Sequence, residues 1–344
     1  MKMTCEDILL TKEKIYCFAN NLNVLYSIER DTGEIEYLIS IPGKDLFEKK
    51  LISKLVYWNG RIYLLPLKTG SVWMYELKDK EIRELEIESY ADNWADSYFR
   101  NALISNNKLF IFGGYYPAVV ILDLNNGNIE YDRKPFENVD VKKSRDLYFR
   151  GDPIQIGEEA YFASGIDNSL FIYNLSTGAF EWRTIGNKEN RYSGIIKCEE
   201  GFLLSPRKGN MNVVKVTESG IEEYKSKGSC DDTTIYTGII ERDDGYLIPT
   251  NMKSKKSLLV DSSWQVHQID EAYTVYKVQD NTILKQIING DIYVEDNKHK
   301  RVYSSVDIND KHFLKRIKES ASFNKNQIMY ENDPMSLNEW IAFL

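Results

Sequence analysis

Apolar residues along this chain come in short runs of β-formers, separated by clusters of Gly, Asn, Asp and Ser, and the runs themselves recur. One aromatic position sets the register: Tyr16, Tyr63, Phe110, Tyr161, Phe202 and Tyr246, with Ile283 in the seventh place, at steps of 47, 47, 51, 41, 44 and 37 residues. Each stands in a short strand such as Arg61-Ile62-Tyr63-Leu64-Leu65. About ten residues later comes a second apolar run, such as Val72-Trp73-Met74-Tyr75 or Leu170-Phe171-Ile172-Tyr173. Tight turns built on Asp31-Thr32-Gly33, Asn125-Asn126-Gly127, Ser176-Thr177-Gly178 and Ser219-Gly220 then lead into strands that alternate apolar with charged, as an outer strand wetted on one side should.

An apolar residue seven places ahead of each column position, at Leu9, Val56, Leu103, Ile154, Ile195, Ile239 and Tyr276, marks one more strand in front. Just before it, small residues are common: Ala102, Pro153, Gly194 and Gly238. Crowding around a central axis explains that preference. Repeats of four strands at this period predict an all-β chain, a β-propeller of seven blades of four antiparallel strands over residues 1–308, with six blades plus a degenerate seventh as the competing count. Residues 309–344 do not repeat. Residues 311–322 read as an amphipathic helix, and Ser336-Leu337-Asn338-Glu339 is a capping box, so a short C-terminal helical extension packed on the propeller is expected.

Composition narrows the function classes. The 344 residues, 42% hydrophobic with 23 Tyr and 8 Pro, suit one large packed domain. A formal charge of -8 gives no general attraction to nucleic acid or to an anionic membrane, so neither is expected as a partner. Glu6 and Asp7 interrupt the place where a secretory leader would begin its apolar core, and Ile8-Leu9-Leu10 is too short for one. Cys5, Cys17, Cys198 and Cys230 lie far apart, as reduced thiols do. A cytoplasmic protein is the expectation.

Metal and cofactor chemistry have little to work with. His267, His299 and His312 are the only histidines and none is paired at ligand spacing, so no metal site is expected. No Gly-rich phosphate cradle is present, so no cofactor is expected either. Asp123-Leu124-Asn125-Asn126-Gly127 is explained by its hairpin turn rather than by calcium.

The segments leading into each blade are richer. Tyr98-Phe99-Arg100 recurs as Tyr148-Phe149-Arg150, with Arg191-Tyr192 a looser echo and Tyr236 in the following period. Arg100 stands ten places ahead of its aromatic and Arg150 and Arg191 eleven, so a one-residue bulge is needed for all to face the channel. Guanidiniums and phenols at one mouth can grip a carboxylate, phosphate or sugar by forked hydrogen bonds and stacking. The candidate ligand-binding set is therefore Tyr98, Arg100, Tyr148, Arg150, Arg191, Tyr192 and Tyr236. The same residue types also tie neighbouring blades together, and that alternative stays open here. Basic loops at residues 206–210 and 251–256 offer a cationic sector to an anionic partner or simply to solvent.

The run Leu109-Phe110-Ile111-Phe112-Gly113-Gly114, a strand ending in a diglycine, resembles the kelch-type propellers. Other periods carry Leu65-Pro66, Ala163-Ser164 or Ser205-Pro206 instead, and neither the Trp-Asp ending of WD40 blades nor the Asp boxes of sialidases are present. The chain thus resembles a divergent kelch-like or WD40-like bacterial β-propeller superfamily. That resemblance implies protein or glycan binding more often than catalysis, and copper-radical oxidase chemistry would need ligands not found here. The leading expectation is a binding or scaffold module that recognises a protein partner or a small polar or anionic ligand. The alternative is a His-poor lyase or epimerase acting on a carbohydrate or peptide-derived substrate in the channel mouth.

Overall fold

A computed structural model describes residues 2–67, 69–88, 99–138, 148–226, 232–279, 281–296 and 299–305. Its strands form seven antiparallel four-stranded sheets, each taken from one contiguous segment and each in plain sequential order. The segments run over residues 5–39, 52–86, 99–132, 154–184, 192–224, 240–269 and 273–303. The seventh is a complete blade, made of Tyr273–Gln279, Thr282–Ile287, Ile292–Glu295 and Lys300–Tyr303. First strands touch between blades 1 and 2, 2 and 3, 4 and 5, and 6 and 7, and that of blade 1, Cys5–Leu10, also meets Tyr273–Gln279 of blade 7. The ring is therefore closed with first strands innermost, as a seven-bladed β-propeller. A single 3₁₀ turn, Lys134–Phe136, is the only helical element among the described residues, and none of their helices is long and apolar enough to cross a membrane. The expected C-terminal helices, together with Tyr98, Cys230 and His312, lie outside the described residues.

Two-residue hairpins join first strand to second. Asn59-Gly60, with φ of 45° and 80°, and Asn106-Asn107, with φ of 50° and 59°, take the left-handed backbone that such turns need. Counted from these turns, the aromatic column is in register only for four blades. Tyr16, Tyr63, Phe110 and Tyr161 stand directly opposite Leu9, Val56, Leu103 and Ile154. In blades 5 to 7 the equivalent places are held by Leu203, Leu247 and Leu284, opposite Ile196, Ile240 and Lys277, and the column residues Phe202, Tyr246 and Ile283 each lie one place earlier. A one-residue slip turns a side chain to the other face of its sheet. The slip went unseen because a propeller buries both faces, so either neighbour can be aromatic or aliphatic.

Those buried faces are what holds the ring. Apolar clusters join blades 1 and 2, 2 and 3, 3 and 4, 4 and 5, and 5 and 6, and another joins 7 to 1. Burying one such Leu, Ile or Phe contributes on the order of 1.5–3 kcal/mol. Between blades 6 and 7 polar contacts bridge the joint. Arg242 pairs with Glu271 at 2.9 Å, Ser257 Oγ donates to the Glu271 carbonyl at 2.5 Å, and the Tyr273 amide donates to the Thr250 carbonyl at 3.0 Å.

No strand is shared across the closing joint between blades 7 and 1, so side chains do the joining. The Gln279 amide accepts from the Leu10 N–H at 3.0 Å and donates to the Leu10 carbonyl at 2.6 Å, copying a backbone pairing. Gln286, fully buried, accepts from the Cys5 N–H at 2.7 Å and donates to the Gly290 carbonyl at 3.0 Å. Replacing Gln286 with Leu strands both backbone groups in the core, and a loss of about 1–3 kcal/mol in denaturant unfolding is expected. A variant as stable as the parent would show that this joint is not held by Gln286.

Candidate ligand-binding site at the mouth of the bore

The inner strands carry an irregularity at one level. In blade 3, Phe99 pairs with Gly113 and Asn101 with Phe112, which leaves Arg100 as an extra residue. Equivalent one-residue bulges fall at Glu6-Asp7 in blade 1, Ser53 in blade 2, Ser193 in blade 5 and Thr274 in blade 7. In blade 6 the bulge lies between the Tyr236–Thr250 bridge and the Ile240–Leu247 pair. Blade 4 takes five steps from Phe149 to Ile154 against three from Ser164 to Tyr161, an insertion of two residues that includes Arg150. The bulge expected from the Arg spacing is thus present, and it is a property of the whole ring. Bulges twist a strand and re-aim its side chains, here at the radius where the strands converge.

Two solutions fill that crowded level. Blades 4, 5 and 6 approach backbone to backbone: a Cβ on Gly151 would stand 2.2 Å from the Ser193 carbonyl oxygen, and one on Gly194 would stand 2.8 Å from Gly238 Cα. Blades 7, 1, 2, 3 and 4 instead contribute paired charges. Lys277 Nζ meets Asp7 Oδ1 at 2.7 Å, while Asp7 Oδ2 accepts the Leu55 N–H at 2.9 Å. Two further pairs pass over an intervening blade: Arg100 of blade 3 with Glu6 of blade 1, and Lys54 of blade 2 with Asp152 of blade 4. These are chords across the bore.

Burial alone would push the Asp152 carboxyl up, but Lys54 outweighs it and holds that group below the usual carboxylate range. Burial would likewise lower Lys54, yet Asp152 and then Asp7 hold it above the usual lysine value. Both are charged at neutral pH. The two are not equally enclosed, since the Lys54 side chain keeps 16% of its surface and Asp152 keeps 54%. Asp152 is thus the exposed partner of the pair and Lys54 the enclosed one.

The expected site residues divide. Arg100 is half-buried in this charged level. Arg150 is half-buried in the blade 4 insertion, two residues before Asp152. Arg191 donates through Nη1 to the Lys188 and Asn190 carbonyls at 2.8 and 2.6 Å, which folds it onto its own loop. Tyr148 is buried, packed on Phe136 at 5.6 Å, and its amide donates to the Gly114 carbonyl at 2.8 Å. Tyr192 is buried with its hydroxyl on the Ile185 carbonyl at 2.9 Å, and burial pushes its phenol well up. Tyr236 is buried, its amide donating to the Arg207 carbonyl at 3.3 Å. Even Phe149, between Tyr148 and Arg150, is a core ring stacked on Phe171 at 5.2 Å. Arg207, in one of the two basic loops, is itself buried.

Sequence reasoning missed Glu6, Asp7, Lys54, Asp152 and Lys277. A signal existed: Asp7, Lys54 and Asp152 each stand nine places ahead of their aromatics Tyr16, Tyr63 and Tyr161. The described histidines lie elsewhere, His267 on the outer strand Val266–Ile269, 2.6 Å from Asp261, and His299 exposed on the outer hairpin of blade 7. Among the described residues no three His, Cys, Asp or Glu side chains gather as a metal site. A hollow of about 550 Å³ beside the closing joint is lined by Lys2, Ile288, Asn289, Asp291, Ser304 and Ser305.

No family model matches this chain, and no curated protein does. Solved structures do. Virginiamycin B lyase from Staphylococcus aureus superimposes with a TM-score of 0.60 at 14% identity, over 81% of this chain and 90% of that one. Its catalytically inactive histidine-to-alanine variant with quinupristin gives 0.62 at 13% identity, over 83% and 92%. The WD40 repeats of RRP9 give 0.53 at 9% identity, over 83% and 87%. At such identities the likeness is one of fold. It covers enzymes and repeat scaffolds alike.

The charged level makes a pH prediction. Asp152, with its carboxyl depressed in the folded state, contributes stability that is present above the unfolded value near 4 and lost as pH falls through the folded one. Lys54, raised, contributes below about 10.4 and loses its contribution above that. Scanning calorimetry from pH 3 to 6 should therefore find a shallower acid decline in Asp152→Asn than in the parent. Equal slopes would place the acid sensitivity elsewhere.

Proposed function

We propose that the chain is a binding or scaffold propeller that receives a protein partner or a small polar or anionic ligand at the charged mouth of its bore, with Arg100 and Arg150 as contact residues. The observation that carries this reading is the set of ion pairs on bulged inner strands. Cations held at a fixed radius by backbone geometry are pre-organised donors for an oxyanion. Tyr148, Tyr192 and Tyr236 support the site from below by fixing the loops that lead into it.

The same pairs weigh against a lyase or epimerase. General acid–base work needs a group that titrates near the working pH, whereas Asp152 is held below its usual range and Lys54 above it. Neither described histidine is near the bore, so a histidine base there has no candidate among the described residues. The buried, unbridged thiols Cys5, Cys17 and Cys198 support a reducing compartment, the cytoplasm in our reading.

Affinity capture from cell extract and a thermal-shift screen of polar and anionic metabolites, run on the parent and on Arg100→Ala/Arg150→Ala, test the assignment. Loss of a captured partner or hit, by tenfold or more in affinity, is expected in the variant. Unchanged binding with lowered thermal stability would make these arginines structural and sink the reading.

A further inference from the structure

The Lys54–Asp152 pair has the form of a ligand and its receptor. Lys54 belongs to the strand Ile52–Trp58, directly after its bulge, and its side chain is mostly enclosed. Asp152 belongs to the blade 4 insertion, ahead of the short strand Ile154–Ile156, and more than half of its side-chain surface is open. One partner is therefore built in and the other is poised at an edge. Arg100 stands at the same level. It meets Glu6 through Nη1, and its buried Nε has no partner among the described residues. A guanidinium offers five donors in a plane and suits a two-oxygen acceptor.

Resting on the reading above, we infer that Asp152 is an internal stand-in for the ligand's carboxylate: an incoming carboxylate displaces Asp152 from Lys54 and draws on the spare donors of Arg100. The exchange breaks one ion pair and forms another, so the cluster of Glu6, Asp7, Asp152, Lys54, Arg100 and Lys277 keeps its own charge and the ligand's negative charge meets the freed ammonium. Asp152 moves out into the bore, where its exposed side already faces solvent. A carboxylate is preferred over a neutral sugar because only an anion compensates Lys54 once Asp152 has left; an uncompensated enclosed ammonium is costly. The carboxylate can come from a free polyacid or from an acidic side chain of a partner protein.

Citrate and a hexaglutamate peptide, titrated separately into the full chain by calorimetry, distinguish those sources. Asp152→Asn removes the competing carboxylate and should bind one or both at least tenfold more tightly than the parent. Lys54→Met/Asp152→Asn should lose that gain. Citrate alone showing the gain assigns a free acid, and the peptide alone assigns an acidic partner segment. No gain in Asp152→Asn, or a gain that survives Lys54→Met, overturns the inference. Should Asp152→Asn fail to unfold cooperatively, the parent decides: saturating citrate or peptide must shift the Lys54 Nζ resonance, and a saturated complex in which it is unmoved overturns the proposal. A partner that is lost in Arg100→Ala/Arg150→Ala but indifferent to Asp152→Asn overturns this inference and leaves the broader reading standing. Binding unchanged in the arginine double variant sinks the broader reading whatever citrate does.

Discussion

Seven inner strands share one axis, and there is less room at that axis than seven rows of ordinary side chains require. Most of what is specific to this molecule follows from how that shortage is met. Each inner strand bulges at the same level, which widens the mouth and redirects one residue per blade. On one arc, Gly151 and Gly194 let backbones close on one another. On the other, long charged side chains leave the crowded wall and meet across open space. The asymmetry between a sealed arc and a charged arc gives an otherwise repetitive ring two unlike sides.

Ion pairs of this kind are poor devices for stability. Removing two charges from water costs much of what their attraction returns, and apolar replacements often serve a fold as well or better. The apolar interfaces between blades are the economical solution, and the chain uses them almost everywhere else. Charges gathered at one level of the bore therefore call for a reason other than rigidity. Recognition of a charged group supplies one.

The architecture was legible because strand length, turn chemistry and period are local properties, and Asn59-Gly60 or Gly127 state them outright. The seventh blade was legible as well, despite an Ile where the others carry an aromatic. What sequence spacing could not fix was the face of each strand: Phe202 and Tyr246 read as members of the column, although Leu203 and Leu247 occupy the equivalent buried places. At the site, the guanidiniums were found because Tyr-Phe-Arg repeats as a motif. Their company was not, since Glu6 and Arg100, or Lys54 and Asp152, meet only after the ring has closed, 94 and 98 residues apart. The tyrosines drew attention as phenols able to bind ligand, while Tyr148, Tyr192 and Tyr236 lie buried under the loops.

Every blade here is cut from a single stretch of chain, so the covalent order of the ring is nearly arbitrary. Between blades 7 and 1, Gln279, Gln286 and an apolar cluster already make a joint that needs no shared strand. The link between blades 6 and 7, residues 270–272, crosses no sheet. Opening it would leave all seven sheets intact, each still taken from one stretch of chain. The break would then fall away from the joint that Gln279 and Gln286 hold. For a molecule assembled from self-contained wedges, the place where the chain is cut matters little, and the ring itself is what the physics maintains.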